Sequence, residues 1–461
     1  MRNATLSPGP GSRRASRGPS PGVATLAALA GFAALGLLVA ASGPVDALVV
    51  VIVLGVWASV VAVWVGPRGV VTASMMAVAA SAPLTGVRAL GGVALTDVFL
   101  AIAAVALLAR SARGQQAHPH LAGFWVGLLL IVVGGSLGTF FANDPVPSLL
   151  NLLRFAVAAA GPVLIVWAWR PDAATLRRYA WYWVAGALVS GLVGLVSSGD
   201  ASGRTAGLAG HPNPLAIISS LGAGLALVLA VSSASRVRWA ATGAFGILSL
   251  VVIKAGSRAG LLVLAVSVAV VVLRTRARRG GASHLARYAV VFVGFGALSG
   301  LLLSTGAIEL GKHNAVSRFL GDVTTASSDS ARAPLLAAGI RTIAERPLTG
   351  AGFERALEAH NIYVQIWAAA GLLGLIGLLA VSWTTVRTGL RSLATTSETL
   401  ISTGFASGYV GYLAGGVFQN TLWDRYVWLH VALGLWIGTS QVVAGATTTT
   451  TASPPGGPGV G

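Results

Sequence analysis

Residues 360–374 read HNIYVQIWAAAGLLG, and the histidine–asparagine pair at their start closes a long polar segment. The apolar run that follows continues for about two dozen residues, enough to cross a bilayer. An imidazole is therefore expected where water meets lipid. Working outward from this stretch, two further short loops place arginine at the edge of an apolar run. Arg204 precedes HPNPLA, and Arg258 lies within GSRAG. The expectation is that Arg204 and Arg258 face His360 across one extracytoplasmic cavity.

Composition bounds the fold class. Of 461 residues, 55% are hydrophobic and only 10% charged. A soluble chain of this length would divide into about three domains. Here charge is too sparse and the apolar runs too long, so an all-α, polytopic membrane helix bundle is expected. The formal net charge of +18 would point to nucleic acid in a soluble protein. In a membrane protein its placement matters more, and no nucleic-acid partner is expected. The absence of cysteine excludes disulfides and thiolate metal sites.

The apolar runs fall near 23–41, 45–65, 69–85, 95–109, 121–141, 148–169, 178–197, 214–232, 238–254, 259–274, 287–305, 361–384, 399–417 and 426–444. That reading gives about 14 spans, within a range of 12–14. Residues 1–22, rich in Gly, Pro, Ser and Arg, read as a disordered cytoplasmic tail, and 445–461 as a second disordered tail. Between them lie eleven spans over 23–305, a long loop over 306–360 and three spans over 361–444. The first run is read as an uncleaved helix rather than a signal peptide, because a second run follows at once.

The positive-inside rule supplies orientation. Arg68, then Arg110 and Arg113, then Arg170, Arg177 and Arg178, then Arg236 and Arg238 fall in every second connection. The series continues with Arg274, Arg276, Arg278, Arg279 and Arg287, and then Arg387 and Arg391. The intervening connections carry Asp46, Asp144, Asp200 and Asp424. Both termini are therefore expected in the cytoplasm of a multi-pass inner or plasma membrane protein, with the 306–360 loop outside. Within that loop Ser330 reads as an N-cap. Leu335, Leu336, Ile340 and Ile343 recur at helical spacing, so an amphipathic helix is expected over 331–346. Pro347 ends the pattern, and Gly350 and Gly352 make a turn.

Several polar residues stand where chemistry is plausible. Arg258 opens a helix whose macrodipole it opposes unless an anion binds there. Arg204 has glycines on both sides, which allow close backbone approach to a ligand. Asn213 can cap the eighth span, while His211 reads as exposed polar surface. Arg154 lies two turns inside the sixth span, where an intramembrane arginine marks a function or snorkels to the surface. Arg332 and Arg341 share the loop helix, and Asp97 is placed to pair with one of these arginines. A lone interfacial histidine such as His360 ordinarily serves only its helix end, with Asn361 making local turn bonds. The weight comes from three polar boundary sites on one side of the membrane. HPH at 118–120 lacks a third ligand, and no nucleotide loop, zincin motif or Gly-x-Ser-x-Gly elbow occurs.

Several guanidinium groups suit a pyrophosphate, because each presents paired donors to phosphate oxygens. One histidine of near-neutral pKa can take a proton from a hydroxyl. Together they fit group transfer from a lipid pyrophosphate to an alcohol, with no cofactor and no metal. The pattern His360-Asn361, nine residues, Gly371, two residues, Gly374 resembles the signature of the O-antigen ligase and polymerase superfamily. GRTAGLAGHPNPLA, GSRAG, and Arg332 followed by ERPLTGAGF resemble further blocks of that family, in family order.

The resemblance covers about 200–380 and implies a metal-independent integral-membrane glycosyltransferase of GT-C type. Its donor would be a glycan on undecaprenyl pyrophosphate, and its acceptor a polysaccharide, lipid or protein hydroxyl. His360 would match the catalytic base. Arg204 and Arg258 would match the pyrophosphate ligands, with Arg332 as a further candidate. Apart from the resemblance, Asn361 and the intramembrane Arg154 are also candidates for substrate binding. The alternatives are a transporter or flippase of lipid-linked glycan and a non-catalytic membrane scaffold.

Overall fold

A computed structural model describes residues 66, 68–89, 93–108, 121–197, 203–233, 235–276, 281–305, 314–320, 323–353, 359–391, 397–420 and 422–449. The first tail, the second tail beyond 449, the first two expected spans and the HPH run lie outside them, while residues 445–449, expected in the disordered tail, continue the last helix. The other twelve expected spans each coincide with a helix. They are α1 (68–81), α2 (Leu95–Leu108), α3 (Ala122–Phe140), α4 (Pro145–Trp169), α5 (Ala173–Val196) and α6 (Pro212–Ser232). After these come α7 (Ser235–Lys254), α8 (Arg258–Arg276) and α9 (Gly281–Ser304). Two helices of the long loop, α10 (Ala315–Phe319) and α11 (Val323–Glu345), precede α12 (Ile362–Arg391), α13 (Ser397–Gly415) and α14 (Arg425–Thr449). Seven of the helices, α3 to α8 and α12, are each long and apolar enough to cross a membrane. Two-residue strands, β1 (Arg88–Ala89) and β2 (Val93–Ala94), pair antiparallel ahead of α2.

The connections sort to two ends, as alternating spans require. At one end, Gly86 N–H donates to Leu208 O and Arg204 to Ala255 O. At the same end Arg318 donates to Gly256 O, and Arg425 pairs with Asp97. At the other end Arg177 reaches Ser233 and Trp436 reaches Pro171. The first set contains every described part of the 306–360 loop and is called the loop end below.

α6 is the axis of the bundle. From Leu215 to Val231 every residue is buried, and α7, α8, α13 and α5 pack round it. Apolar side chains on α3 and α4, such as Leu129, Val133, Leu153 and Val157, stay exposed, as a lipid-facing surface requires. α3 and α12 form the closest pair, antiparallel along a seam of small residues. Gly123 faces Thr384, Gly127 faces Gly377 and Val381, and Gly134 faces Ala370 and Gly374. A side chain at these positions would drive the backbones apart, and this close approach is what lets apolar helices associate without a hydrophobic driving force.

Two expectations are corrected here. The loop helix begins at Val323, not after Ser330, so Ser330 sits inside α11 and is not its N-cap. The upstream TTASSD residues offer no breaker, and helix propagates through them. Ile340, expected on the buried stripe, is exposed, while Gly339 is buried between Ala359 and Val364. The helix therefore packs against the bundle. The second correction concerns α12, which is not continuous. Gly371, at φ 64 and ψ −164, breaks it.

That break is filled by the chain itself. Ala351 N–H donates to Ala368 O (2.9 Å) and Gly352 N–H to Ala369 O (2.9 Å), while Leu372 N–H donates to Pro347 O (2.9 Å). The loop 347–353 thus takes over backbone groups that a helix interior would pair, as burial demands. A Cβ at Gly350 would lie 2.6 Å from Ala369 O, and one at Gly371 would overlap Leu348 O. Ile362 touches Gly416 and Ala369 touches Gly138, both loop-end residues of their helices. The segment 362–370 therefore lies across the loop end, and the chain turns at Gly371 into the span proper.

Candidate functional site

The tight turn 255–257 joins α7 to α8 and positions Arg258. Two buried arginines brace it by its carbonyls. Arg204 Nε donates to Ala255 O (3.0 Å), and Arg318 Nη1 donates to Gly256 O (2.8 Å). These carbonyls carry the negative end of the α7 macrodipole, so cations are well placed there. Arg204 Nη2 also donates to Asn213 Oδ1 (2.7 Å). Asn213 is therefore not the cap of α6. His211 is: it is exposed, and its Nδ1 accepts from Asn213 N–H (3.2 Å).

Arg258 then meets α11. Both of its terminal nitrogens donate to Asp329, Nη1 to Oδ2 at 3.0 Å, in a two-pronged ion pair. Its guanidinium lies over the Phe418 ring, 5.4 Å from the centroid. Arg332 stands three residues beyond Asp329 and is half-buried. Burial first, then the charges of Arg258 and Arg318, push its guanidinium below its ordinary pKa, against the pull of Asp329. Asp329 is held below the usual carboxylate range, chiefly by the hydrogen bond from Arg258, with Arg332 and Arg318 adding to it. Three arginines thus surround one half-exposed carboxylate, and the cluster keeps an excess of positive charge.

His360 sits at the start of α12. Its backbone is left-handed, at φ 48, a conformation shared among non-glycine described residues only by Arg170. Such a conformation costs roughly 1–2 kcal/mol and marks a constrained position. Asn361 caps the helix, its Oδ1 accepting from Tyr363 N–H (3.0 Å) and Val364 N–H (3.1 Å). Two routes tie His360 to the arginines. Along α11, Arg332 and Gly339 are seven residues apart, about 10 Å of helix, and Gly339 packs against Ala359 and Val364. The 3₁₀ turn Gly416–Phe418 touches Ile362 at its first residue and Arg258 at its last. His360 and the Arg258–Arg318–Arg332 cluster therefore share one corner of the loop end.

Not every expected residue joins them. Arg154 is exposed on α4 among Leu150, Leu153 and Val157, and donates to Asn151 Oδ1 (3.3 Å). Asn151 in turn donates to Phe353 O (2.9 Å) in the join between loop and span. Arg154 thus faces the lipid side beside that join. Arg341 is exposed. Asp97 pairs with Arg425 (Nε–Oδ1 2.6 Å), not with Arg154, Arg332 or Arg341.

Arg318, Asp329 and Phe418 were not singled out from sequence. A signal for Arg318 does exist. Asn314 caps α10 through Val316 N–H and Ser317 N–H, and that five-residue helix carries Arg318 into the turn. Among the described residues no group of three His, Asp or Glu side chains is placed to hold a metal ion.

The fold and this corner define a multi-pass membrane protein with a histidine and a guanidinium cluster at one end of its bundle. Residues 243–379 match the O-antigen ligase family model, so the likeness read from GSRAG, from Arg332 with ERPLTGAGF and from the His360 stretch holds over that part of the chain. The match takes in Arg258, Arg318, Arg332 and His360, and leaves out Arg154 and Arg204. No curated protein matches the chain.

Proposed function

We propose that this protein is an integral-membrane glycosyltransferase of the O-antigen ligase or polymerase kind, working on the extracytoplasmic face. The observation that carries the reading is the gathering of Arg258, Arg318 and Arg332 round Asp329, in the same corner of the loop end as His360. Asp329 there stands in for an anion. Its carboxylate takes both prongs of Arg258, the geometry that a phosphate takes in a bidentate contact. A lipid-linked glycan pyrophosphate would displace it and gain the charge of all three arginines.

His360 then removes the proton from an acceptor hydroxyl, on a polysaccharide, lipid or protein. The hydroxyl oxygen attacks the anomeric carbon in line. The bond to the pyrophosphate oxygen breaks, and undecaprenyl pyrophosphate departs with the electron pair, inverting the centre. Arg204 acts by holding the 255–257 turn. Arg154, on the lipid side, receives the departing or arriving pyrophosphate at the membrane surface. No divalent metal is needed if the arginines carry the leaving-group charge, and the GT-C architecture supplies the frame.

A flippase reading draws on the broken α12, since interrupted helices line transport sites. The break here is stitched by the loop's own backbone, which favours a rigid scaffold over an ion site. The deciding experiment supplies purified protein with lipid-linked glycan and an acceptor in the presence of chelator. Glycan transfer that His360→Ala abolishes is the expected result. Movement of the lipid across proteoliposomes without transfer would favour the flippase.

A further inference from the structure

A polar hollow lies at the loop end, outside the segment that matches the family model. It is a cavity of about 270 Å³ between the 82–97 connection and the turn leading into α14. Its polar lining includes Thr85, Arg88, Asp97, Asp424, Arg425 and Tyr426. Charge is balanced there, two carboxylates against two guanidiniums. Arg425 pairs with Asp97 at 2.6 Å, and the Tyr426 hydroxyl donates to Asp424. A wall of this kind carries no net charge to favour an anion over a cation. It offers fixed donors and fixed acceptors side by side, which is what a neutral polyol needs, because every sugar hydroxyl both donates and accepts. The volume is slightly under the roughly 300 Å³ where small-molecule pockets begin, so it suits one ring and not a chain of them.

Both walls are fastened to the corner already described. Gly86 N–H donates to Leu208 O (2.9 Å), and the Thr85 hydroxyl to Ala209 O (3.0 Å), in the loop that carries Arg204. On the opposite wall, Trp423 packs against Phe353 (centroids 6.0 Å apart) and donates to Asn151 O (3.4 Å). The hollow is thus held in register with the loop that leads to His360.

We propose that this cavity is a saccharide subsite that binds one neutral sugar ring through Asp97, Asp424, Arg425 and Tyr426. Its place in a reaction rests on the transferase reading, as the pocket that seats a ring of donor or acceptor glycan. The binding itself does not depend on that reading. The probe is a panel of methyl glycosides of neutral hexoses and N-acetylhexosamines. They are presented at millimolar concentration to the full chain in lipid nanodiscs, and saturation-transfer NMR reads the contact.

At least one methyl glycoside should give a difference signal. Asp424→Asn and Arg425→Gln should each weaken it roughly tenfold, the usual consequence of removing a charge-assisted hydrogen bond. Tyr426→Phe, which keeps the ring that packs the α14 start, should weaken it less and guards against a folding defect in the other two. Arg258→Gln should leave the signal unchanged, and inorganic pyrophosphate should not compete. In a transfer assay the cavity variants should raise KM for the glycan and spare kcat. The proposal is overturned if no glycoside on the panel binds, if binding survives in folded Asp424→Asn and Arg425→Gln proteins, or if pyrophosphate displaces the sugar. Sugar binding without any glycan transfer would remove the transferase reading and leave the subsite standing.

Discussion

Two polar regions share the loop end, and they differ in the arithmetic of charge. Round Arg258, three guanidiniums meet one carboxylate. Round Arg425, two guanidiniums meet two carboxylates. The second is built from helix starts and short connections, the first from the start of α8 and the interior of α11, and both lie beside apolar helices. The difference teaches that position alone does not make an anion site. An excess of cations, held apart by backbone carbonyls and one carboxylate, is what the proposed anion site adds.

The largest effect expected lies on the cationic side. Removing the base in His360→Ala should lower glycan transfer about 10²–10⁴-fold, measured as initial rate with lipid-linked donor. His360→Gly should lose the same activity yet melt no lower than the parent protein, because glycine accepts the left-handed backbone at φ 48. A clearly lower melting temperature for the glycine variant would mean that the imidazole supports the fold.

Next, Arg258→Gln should reduce transfer roughly 10²-fold, with the loss in donor use. Asp329→Asn, which frees the same guanidinium, should leave transfer intact or raise it. If Asp329→Asn is as damaging as Arg258→Gln, the carboxylate is no stand-in and the charge comparison fails. Smaller again is the response to salt. Raising ionic strength should weaken pyrophosphate binding to the Arg258 cluster and leave methyl glycoside binding almost unmoved, since screening acts on net charge. Equal salt sensitivity in titration calorimetry would erase the distinction between the two regions.

The smallest effect concerns Asp424. Burial pushes its carboxyl up to about 6, against the Tyr426 hydrogen bond and the Arg425 charge. Between the unfolded value of about 3.9 and the folded one, the native protein holds more protons than the unfolded chain. Stability should therefore decline as pH rises through this interval and level off above it. Asp424→Asn should flatten that decline in thermal unfolding scans from acid to neutral pH. An unchanged slope would place the carboxyl in ordinary solvent.

Much of the architecture was legible. Apolar run lengths located the twelve described helices outside the long loop, seven of them long and apolar enough to cross a membrane, and the alternation of arginine-bearing connections sorted those connections to two ends. Arg258 and Arg332 were legible as partners of one region, and His360 as its neighbour. The break at Gly371 was not, because a hydropathy window sees only composition, and AAAGLLG is apolar throughout. Asp97 was matched to the wrong arginines because Arg425 is more than three hundred residues away, and no local pattern links them. Arg204 was read as a ligand for substrate, and its contacts to Ala255 and Asn213 were not legible. A guanidinium that grips substrate and one that grips a turn look alike in a sequence, since both favour glycine-rich surroundings. Ser330 misled for a related reason, because a residue able to cap a helix can also sit within one.

The stitching of loop 347–353 into the gap of α12 uses main-chain groups almost throughout. What selection can perceive at this junction is therefore not which side chains are present but where none is permitted. A saturation library across 347–352 and 371–372 should show three isolated columns of intolerance, at Gly350, Gly352 and Gly371. Leu348, whose side chain points into the surroundings, should accept almost any replacement.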